Sequence, residues 1–228
     1  MHPLDNAARS SLLGAHAHLA LRQGEMLRYP AEVASFVVVP AQPDTDVWRE
    51  LAEFVQGDLA FFAGDPMTPP PGWETVFHID GVQLTGDGVA GVPDDEAVEL
   101  GAQDVAEMLA LVELAKPGPF LPRTIELGRY LGIRRGGKLV AMAGERLRPD
   151  GWTEISAVCT HPAWQGNGLG GRLILALVAG IRDRGEQPFL HTAADNVNAL
   201  RLYDKLGFRL RRTVVFNGHR LIPERQPS

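Results

Sequence analysis

Cysteine is nearly absent from this sequence, and long apolar runs are missing altogether. One of the 228 residues is a cysteine, Cys159, so no internal disulfide can form and the fold must rest on its core, which fits a reducing compartment. No stretch approaches the roughly 18 consecutive apolar residues of a membrane span. Residues 1–5 lack the basic and apolar regions of a signal peptide. We therefore expect a cytoplasmic protein that makes no membrane contact.

Positive charge is scarce in the first half of the chain. Residues 1–95 carry 4 Lys and Arg against 14 Asp and Glu, a net charge of −10. Residues 96–228 carry 18 against 14, a net charge of +4. A nucleic-acid surface needs a basic patch, so the acidic half argues against a nucleic-acid partner. The mildly basic second half suits a small anionic ligand.

The length and the distribution of proline and glycine predict two domains. A chain of 228 residues is long enough for one large domain or two small ones. Residues 64–72 form a Pro/Gly stretch that can be neither helix nor central strand, and a second glycine-rich stretch covers residues 81–91. We predict a smaller α/β domain over residues 1–92, a second domain over 93–217 and a tail over 218–228.

The first half has the pattern of a mixed α/β domain. Its periodicity predicts a helix over residues 6–23 and strands over 33–39, 59–62 and 73–84. Residues 44–46 have the pattern of an N-cap region, followed by a helix with Val47, Leu51, Phe54 and Val55 on one face. His16 and His18 lie two residues apart, so on a helix they point to different faces. Without a third ligand they do not form a metal site, and we expect both to be solvated.

The second half has a more regular order of elements. Two glycines at 136–137 and a Pro-Asp-Gly turn at 149–151 join three extended segments as hairpins. This order predicts an α/β unit in which hairpins join neighbouring strands. The predicted strands cover residues 97–100, 130–134, 138–146, 153–160, 188–192 and 208–216, and the predicted helices cover 102–114, 124–131, 168–184 and 198–206.

Residues with recognisable chemistry concentrate between the strand at 153–160 and the helix at 168–184. Free N–H groups in the first turn of a helix, together with its dipole, bind anions, and glycines let the backbone approach such a ligand closely. We therefore expect this segment to hold a pyrophosphate, with the final arginine adding a charged contact. The segment consists of Gln165, Gly166, Asn167, Gly168, Leu169, Gly170, Gly171 and Arg172.

Two other phosphate-binding motifs also use glycine-rich segments of this kind. A P-loop needs G-x-x-x-x-G-K-[ST], and the sequence contains no such string. Residues 166–171 satisfy the dinucleotide motif G-x-G-x-x-G, and Asp195 follows the next strand, so an NAD(P)-binding enzyme is an alternative. Against it, residues 162–165 separate the strand from the first glycine, and the preceding strands are predicted to be hairpins.

Two motifs resemble the GNAT N-acetyltransferase superfamily. Residues 165–170 match its acyl-CoA signature [QR]-x-x-G-x-[GA], directly after a strand and Pro162. Residues 196–208 match the downstream pattern N-x-x-A-x-x-L-Y-x-x-x-G-F. The resemblance covers about residues 95–217. It implies the GNAT fold, an α/β (α+β) architecture with a mixed, mostly antiparallel central sheet flanked by helices. It also implies transfer of an acyl group, in the first instance acetyl, from acyl-CoA to a primary amine in a ternary complex.

The resemblance also implies roles for individual residues. The backbone of Val158, Cys159 and Thr160 would pair with the pantetheine arm, and the amides of residues 165–171 would hold the pyrophosphate. Asn196 would contact the CoA arm, and Tyr203 would be the general acid toward the leaving thiolate. The acceptor would be a small-molecule or peptide amine, and no metal is implied. Monomer and homodimer both stay open. The acceptor contacts would come from Arg123, Glu126 and Arg129.

A general base is the least defined part of the site. Glu154 begins the strand at the place where family members with a glutamate base carry it. Even spacing puts Glu154 on one face with Ser156, Val158 and Thr160, and apolar neighbours there would raise its pKa. Alternatively, Glu154 is a solvated carboxylate at the end of a strand and has no catalytic role. A chain of water molecules would then be the base.

Three further possibilities remain at this stage. Cys159 could be a nucleophile, but we expect a small core residue. His161 and His191 lie at strand ends and could relay protons. Finally, a non-catalytic acyl-CoA-binding or regulatory module would keep the glycine segment without a usable acid, and Tyr203 argues against it.

Overall fold

The computed structural model describes residues 2–222, and within them it contains eleven strands and five α-helices. The strands are β1 (Leu21–Gln23), β2 (Met26–Arg28), β3 (Val37–Val38), β4 (Ala60–Gly64), β5 (Trp73–Thr85), β6 (Val98–Leu100), β7 (Tyr130–Arg135), β8 (Lys138–Glu145), β9 (Trp152–Thr160), β10 (Gln187–Ala193) and β11 (Arg209–Leu221). The helices are α1 (Ala7–Leu13), α2 (Thr45–Val55), α3 (Val105–Ala115), α4 (Leu169–Asp183) and α5 (Val197–Leu206).

Eight strands form one sheet in the order β4-β11-β5-β10-β9-β8-β7-β6, and β1, β2 and β3 form a small second sheet. In the large sheet β9 and β10 pair in parallel, with α4 as their crossover, and the other neighbours pair antiparallel. The prediction of a mixed, mostly antiparallel sheet flanked by helices is confirmed. None of the helices within residues 2–222 has the length and apolar character needed to cross a membrane.

The large sheet extends across the predicted boundary at residue 92. Strand β5 precedes that position, yet it lies between β10 and β11, which follow it. The division of the chain at residue 92 stays a prediction, and it does not divide the sheet. Of the predicted tail, residues 218–221 belong to β11, and residues 223–228 lie outside the described part of the chain.

Several predicted boundaries in the first half are wrong. The helix predicted over 6–23 stops at Leu13, because Gly14, a poor helix former, becomes its C-cap, and a 3₁₀ turn and β1 follow. The strand predicted over 33–39 shortens to β3. Within the predicted N-cap region at 44–46, Asp44 is the residue that caps α2, and its carboxylate accepts the N–H of Val47 at 2.9 Å.

His16 is buried rather than solvated, because the chain turns inward after α1. The Tyr29 hydroxyl donates to its Nδ1 at 2.9 Å, and its Nε2 donates to the Leu127 carbonyl oxygen at 3.0 Å. Burial lowers the pKa of this histidine to about 4. Nowhere in residues 2–222 do three or more His, Cys, Asp or Glu side chains gather as metal ligands would.

Different segments cover the two faces of the sheet. Helix α4 packs on one face through Leu173, Ile174, Leu177, Val178 and Ile181, the apolar side that its periodicity predicts. Burying each such side chain contributes about 1.5–3 kcal/mol relative to exposure. The N-terminal residues cover part of the opposite face, where the buried set includes Leu4, Ala8, Leu12, Tyr29, Phe36, Leu147 and Phe189.

Candidate active site

The site begins where β9 and β10 separate. Their parallel pairing covers only Gln187–Trp152, Pro188–Thr153 and Phe189–Glu154. From Ile155 to Thr160, therefore, the edge of β9 that faces β10 has no strand partner in the described structure. An unpaired edge presents backbone N–H and C=O groups, which can bind an extended amide-containing ligand.

A β-bulge lies in this open part of β9. Cys159 pairs with Met142 and Ser156 with Gly144, so β9 has one residue more than β8 between these pairs. Ala157 has a φ of 52°, in the left-handed region that non-glycine residues rarely adopt. Strained backbone of this kind is often kept at functional sites.

The bulge overturns one prediction about the strand. Because it inserts a residue, Glu154 and Ser156 share a face, whereas Val158 and Thr160 lie on the opposite face. Val158 packs against the core beneath α4, while the Glu154 carboxylate meets Arg146 and His191 on the other side of the sheet. The expectation that all four residues share a face is wrong.

The glycine-rich segment forms a tight turn that leads into α4. Gly166 and Gly168 have φ values of 80° and 72°, and a Cβ added at either would meet nothing within 4 Å. The side chain of Asn167 donates to the carbonyl oxygens of Trp164 and Gln165 at 3.0 and 3.3 Å, which braces the turn. No side chain caps the start of α4, so its first N–H groups are available to an anion.

These features surround a cleft of about 660 Å³, a volume typical of ligand sites. It brings together most of the predicted donor-binding residues with the predicted acid. The lining includes Val158, Cys159, Thr160, Gln165, Gly166, Gly168, Leu169, Gly170, Gly171, Asn196 and Tyr203, together with Ala115, Trp164, Asn198, Ala199 and Leu202.

Arg172 is not among the lining residues of the cleft. Its guanidinium makes two hydrogen bonds to Asp94, at 2.6 and 2.7 Å, and one to Glu96 at 2.6 Å. The guanidinium holds the pKa of the Asp94 carboxyl below its usual range. The charge of Arg172 is thus neutralised within the protein, and the cleft relies on backbone N–H groups.

Tyr203 and Asn196 both come from α5. Tyr203 is 8% exposed and packs edge-on against Phe208, with ring centroids 6.1 Å apart. Burial raises its pKa to about 12, so the phenol keeps its proton at neutral pH. Asn196 caps α5, and its Oδ1 accepts the N–H of Ala199 at 3.2 Å. Helix capping accounts for this residue, and CoA contact stays a prediction.

Glu154 is fully buried and fully hydrogen-bonded. Arg146 donates to its two oxygens at 2.6 and 2.9 Å, His191 Nδ1 donates at 2.6 Å and the Leu147 N–H at 3.3 Å. Burial alone would raise its pKa, but Arg146 and His191 lower it to about 2. The prediction that the pKa of Glu154 is raised is wrong, because its carboxylate lies in a buried ion pair with Arg146 rather than in an apolar pocket.

The network continues through His191 to the N-terminal residues. Arg211 donates to Oε1 of Gln83 at 2.7 Å, so the amide nitrogen of Gln83 faces the Leu4 carbonyl and His191 Nε2, each at 3.0 Å. This pattern places the histidine proton on Nδ1, toward Glu154. Both ring nitrogens of His191 are therefore engaged. Sequence reasoning missed Arg146 and Gln83 and did not connect Arg211 with this network, because no local motif marks partners so far apart.

The remaining candidates lie outside the cleft lining or are unreactive. Arg123 and Glu126 are exposed and pair with each other at 2.6 Å, and Arg129 pairs with Glu99 at 2.9 Å. Their contact with an acceptor stays a prediction. Cys159 is 6% exposed, and burial raises its pKa to about 12, which disfavours the thiolate that nucleophilic attack needs.

Comparison with known proteins identifies a family. Residues 130–217 match the model of FR47-like proteins. Over 130 residues the chain is 35% identical to N-alpha-acetyltransferase RimI of Mycobacterium tuberculosis. The aligned region covers 51% of this chain and 81% of that protein. Over 82 residues the chain is 34% identical to mycothiol acetyltransferase of Saccharopolyspora erythraea. This aligned region covers 36% of this chain but only 27% of that relative.

A solved structure resembles nearly the whole chain. It is a GNAT-family acetyltransferase from Novosphingobium aromaticivorans, with 36% identity, a TM-score of 0.90, and coverage of 98% of this chain and 100% of that one. The match includes the N-terminal half, which carries neither of the two GNAT motifs. The chain therefore belongs to the GNAT superfamily of N-acetyltransferases and is an acyltransferase that transfers an acyl group from acyl-CoA to an amine.

Proposed function

We propose that the donor is acetyl-CoA and that the acetyl group passes directly to a primary amine in a ternary complex. The observation that carries this proposal is the open edge of β9, which leads from the bulge at Ala157 to the uncapped start of α4. The amides of residues 165–171 would hold the pyrophosphate, and the backbone of residues 158–160 would pair with pantetheine. The thioester would then lie near the bulge.

The transfer itself needs an oxyanion site and an acid. The amine nitrogen attacks the thioester carbonyl carbon, and a backbone N–H of residues 158–160 stabilises the oxyanion. When the carbon–sulfur bond breaks, the Tyr203 hydroxyl gives its proton to the thiolate. Burial keeps the Tyr203 phenol protonated across the physiological range, so its proton is present when the thiolate leaves.

Deprotonation of the amine does not run through direct contact with Glu154 in this proposal. Its carboxylate accepts four hydrogen bonds and has a pKa of about 2, which makes it a weak base. The titratable residues that line the cleft, Cys159 and Tyr203, both hold their protons. We propose that the acceptor binds as the neutral amine and that the positively charged nitrogen of the tetrahedral intermediate loses its proton to water. Water then returns a proton to the Tyr203 phenolate after CoA thiol has formed. Glu154 then serves as an ionised anchor for Arg146 and His191.

The acceptor is proposed as a primary amine of a small molecule or a peptide. The names of two relatives, N-alpha-acetyltransferase and mycothiol acetyltransferase, refer to acceptors of these two kinds. Each name describes that relative alone.

Replacing Tyr203 with phenylalanine tests the proposed acid. We expect kcat for acetyl transfer to fall by about 100-fold, because general acid catalysis typically contributes 10²–10⁴-fold. The Kd for acetyl-CoA should change less than about threefold, because the aromatic ring stays in place. Free thiol release and calorimetric titration measure the two quantities.

A matched variant separates chemistry from packing. Phe208, the edge-on neighbour of Tyr203, can be replaced with leucine, which alters the same contact without touching a hydroxyl group. An unchanged kcat in Tyr203→Phe would refute the acid role. Binding of acetyl-CoA without transfer to any amine would instead favour a non-catalytic acyl-CoA-binding module.

A further inference from the structure

Four phenylalanines lie together beside the point where β9 and β10 separate. In the register of the sheet, Phe216 lies opposite Ile79 on one side and Ala63 on the other, and Gly218 lies opposite Phe77 and Phe61. Paired residues share a face, so Phe61, Phe77 and Phe216 lie on the same one. The fourth ring, Phe36, bridges to Phe61. We call Phe36, Phe61, Phe77 and Phe216 the aromatic wall.

The rings of the aromatic wall contact one another. The Phe61 centroid lies 4.8 Å from Phe36, 5.7 Å from Phe77 and 6.2 Å from Phe216. Two glycines make room for this packing. A Cβ at Gly81 would lie 2.3 Å from the Phe216 ring, and one at Gly218 would lie 2.3 Å from the Phe77 ring. The wall therefore lies flat on the sheet.

The aromatic wall is not sealed within the core. Phe61, Phe77 and Phe216 are half-buried, and the neighbouring Ile79 is 42% exposed. Clustered apolar surface of this kind marks a binding site more often than a scattered exposed residue does. Phe36 and Phe61 also line a cavity of about 30 Å³, whose other side is formed by Pro119 and Leu121.

The position of the wall relates it to the transfer reaction. The Phe216 ring lies 5.9 Å from the His191 ring, and His191 is two residues beyond the last β10 residue that pairs with β9. At the other end, the Arg146 guanidinium lies 5.0 Å from the Phe36 ring centroid. The wall thus contacts both partners of Glu154, beside the point where β9 and β10 separate, on the face of the sheet opposite to α4.

We infer that the aromatic wall binds the group that carries the acceptor amine, and that this group is aromatic. This inference rests on the proposed function, because the wall lies beside the point where β9 and β10 separate and the thioester is proposed to lie farther along the open edge of β9. Aromatic rings pack on such a surface through offset and edge-on contacts. Phe36, Phe61 and Phe77 come from residues 1–92, so the N-terminal half supplies three of the four rings that select the acceptor.

A pair of amines that differ by one phenyl group tests the inference. We expect kcat/KM for phenethylamine to exceed that for ethylamine by about tenfold or more, because burial of a ring adds apolar contact area. The variants Phe216→Leu and Phe77→Leu should remove most of this preference, because they should lower kcat/KM for phenethylamine far more than kcat/KM for ethylamine. Phe54→Leu, a half-buried phenylalanine of α2 outside the wall, should change neither value.

The two sources of an aromatic amine are distinguished by peptides. Phe-Ala-Ala and Gly-Ala-Ala form a second matched pair, in which the ring belongs to an N-terminal residue. A preference for the ring in either pair supports the inference and shows whether a small amine or a peptide is the better acceptor. The inference would be overturned if the two compounds of each pair had equal kcat/KM. It would also be overturned if Phe216→Leu and Phe77→Leu lowered kcat/KM equally for the two compounds of a pair.

A binding measurement keeps this test separate from the proposed function. If no amine is acetylated, the proposed function fails, and the wall is tested with N-(2-phenylethyl)acetamide and N-ethylacetamide by calorimetric titration. Binding of the phenyl compound that Phe216→Leu weakens by about tenfold or more supports the aromatic site. Equal binding of the two amides, or binding that the variant leaves unchanged, contradicts it.

Discussion

Replacing Gly168 with valine is expected to weaken acetyl-CoA binding by about 100-fold or more. Gly168 has a φ of 72° at the start of α4, a conformation in which a β-branched residue is strongly disfavoured. Any Cβ there would also project into open space beside the N–H groups that are proposed to hold the pyrophosphate. Calorimetric titration with acetyl-CoA measures the change in Kd.

The control for this variant is Gly151→Val. Gly151 has a φ of 71°, and a Cβ there also meets nothing within 4 Å, but it lies in the turn before β9, away from the cleft. Both variants should lose similar amounts of stability from backbone strain, about 1–3 kcal/mol. Loss of binding in both variants, or in neither, would argue against the proposed phosphate site.

Replacing Glu154 with glutamine is expected to lower the free energy of unfolding by about 3–5 kcal/mol, the usual cost of breaking a buried ion pair. The substitution leaves the buried Arg146 guanidinium without its charged partner. For a chain of this size the loss corresponds to a decrease in Tm of roughly 10 °C. Thermal and urea unfolding measure it.

The pH dependence of this stability difference has a definite sign. The folded pKa of Glu154, about 2, lies below its ordinary value of 4.5. Its ionisation therefore stabilises the fold fully above about pH 4.5, and this contribution is lost as the pH falls toward 2. The difference between wild type and Glu154→Gln should shrink over that range.

A second carboxylate and the pH–rate profile complete the test of Glu154. Glu126→Gln removes an exposed ion-pair partner of Arg123 and should cost less than about 1 kcal/mol. In the folded fraction of Glu154→Gln, the profile of kcat/KM against pH should keep the shape of the wild-type profile. A stable variant whose profile loses its acidic limb would restore the assignment of Glu154 as the base.

The motifs carried most of the predictable information about the site. The glycine-rich segment predicts the start of α4 from local properties alone, namely free N–H groups and permitted φ values at Gly166 and Gly168. Tyr203 lines the cleft because it belongs to α5, a helix that lies between two strands of the sheet along the chain, as the spacing indicates. Such features depend on neighbours in sequence, so a single sequence reveals them.

The environment of Glu154 could not be predicted in the same way. Alternation along β9 holds only for a regular strand, and the bulge at Ala157 shifts it by one residue. The partners of the carboxylate lie 8 and 37 residues away in the chain, and the network continues to Gln83. A pKa depends on these distant groups, so apolar neighbours in sequence gave the wrong direction.

The contribution of the N-terminal half also depends on long-range pairing. Residues 73–84 are recognisable as a strand, but their insertion between β10 and β11 leaves no local trace. The aromatic wall follows from that insertion, because it aligns Phe77 and Ile79 with Gly218 and Phe216. A boundary drawn from proline and glycine content therefore predicts a division that the sheet does not follow.

The most direct test of direct transfer is mass spectrometry of the protein and of the small-molecule products. The protein is mixed with isotopically labelled acetyl-CoA, and phenethylamine is added in a second step. We expect an unmodified protein after the first step, and labelled N-(2-phenylethyl)acetamide and free CoA in equal amounts after the second. Labelled acetyl on Cys159 before the amine is added, released when the amine arrives, would contradict direct transfer, and bound acetyl-CoA that reaches no amine would contradict the proposed function.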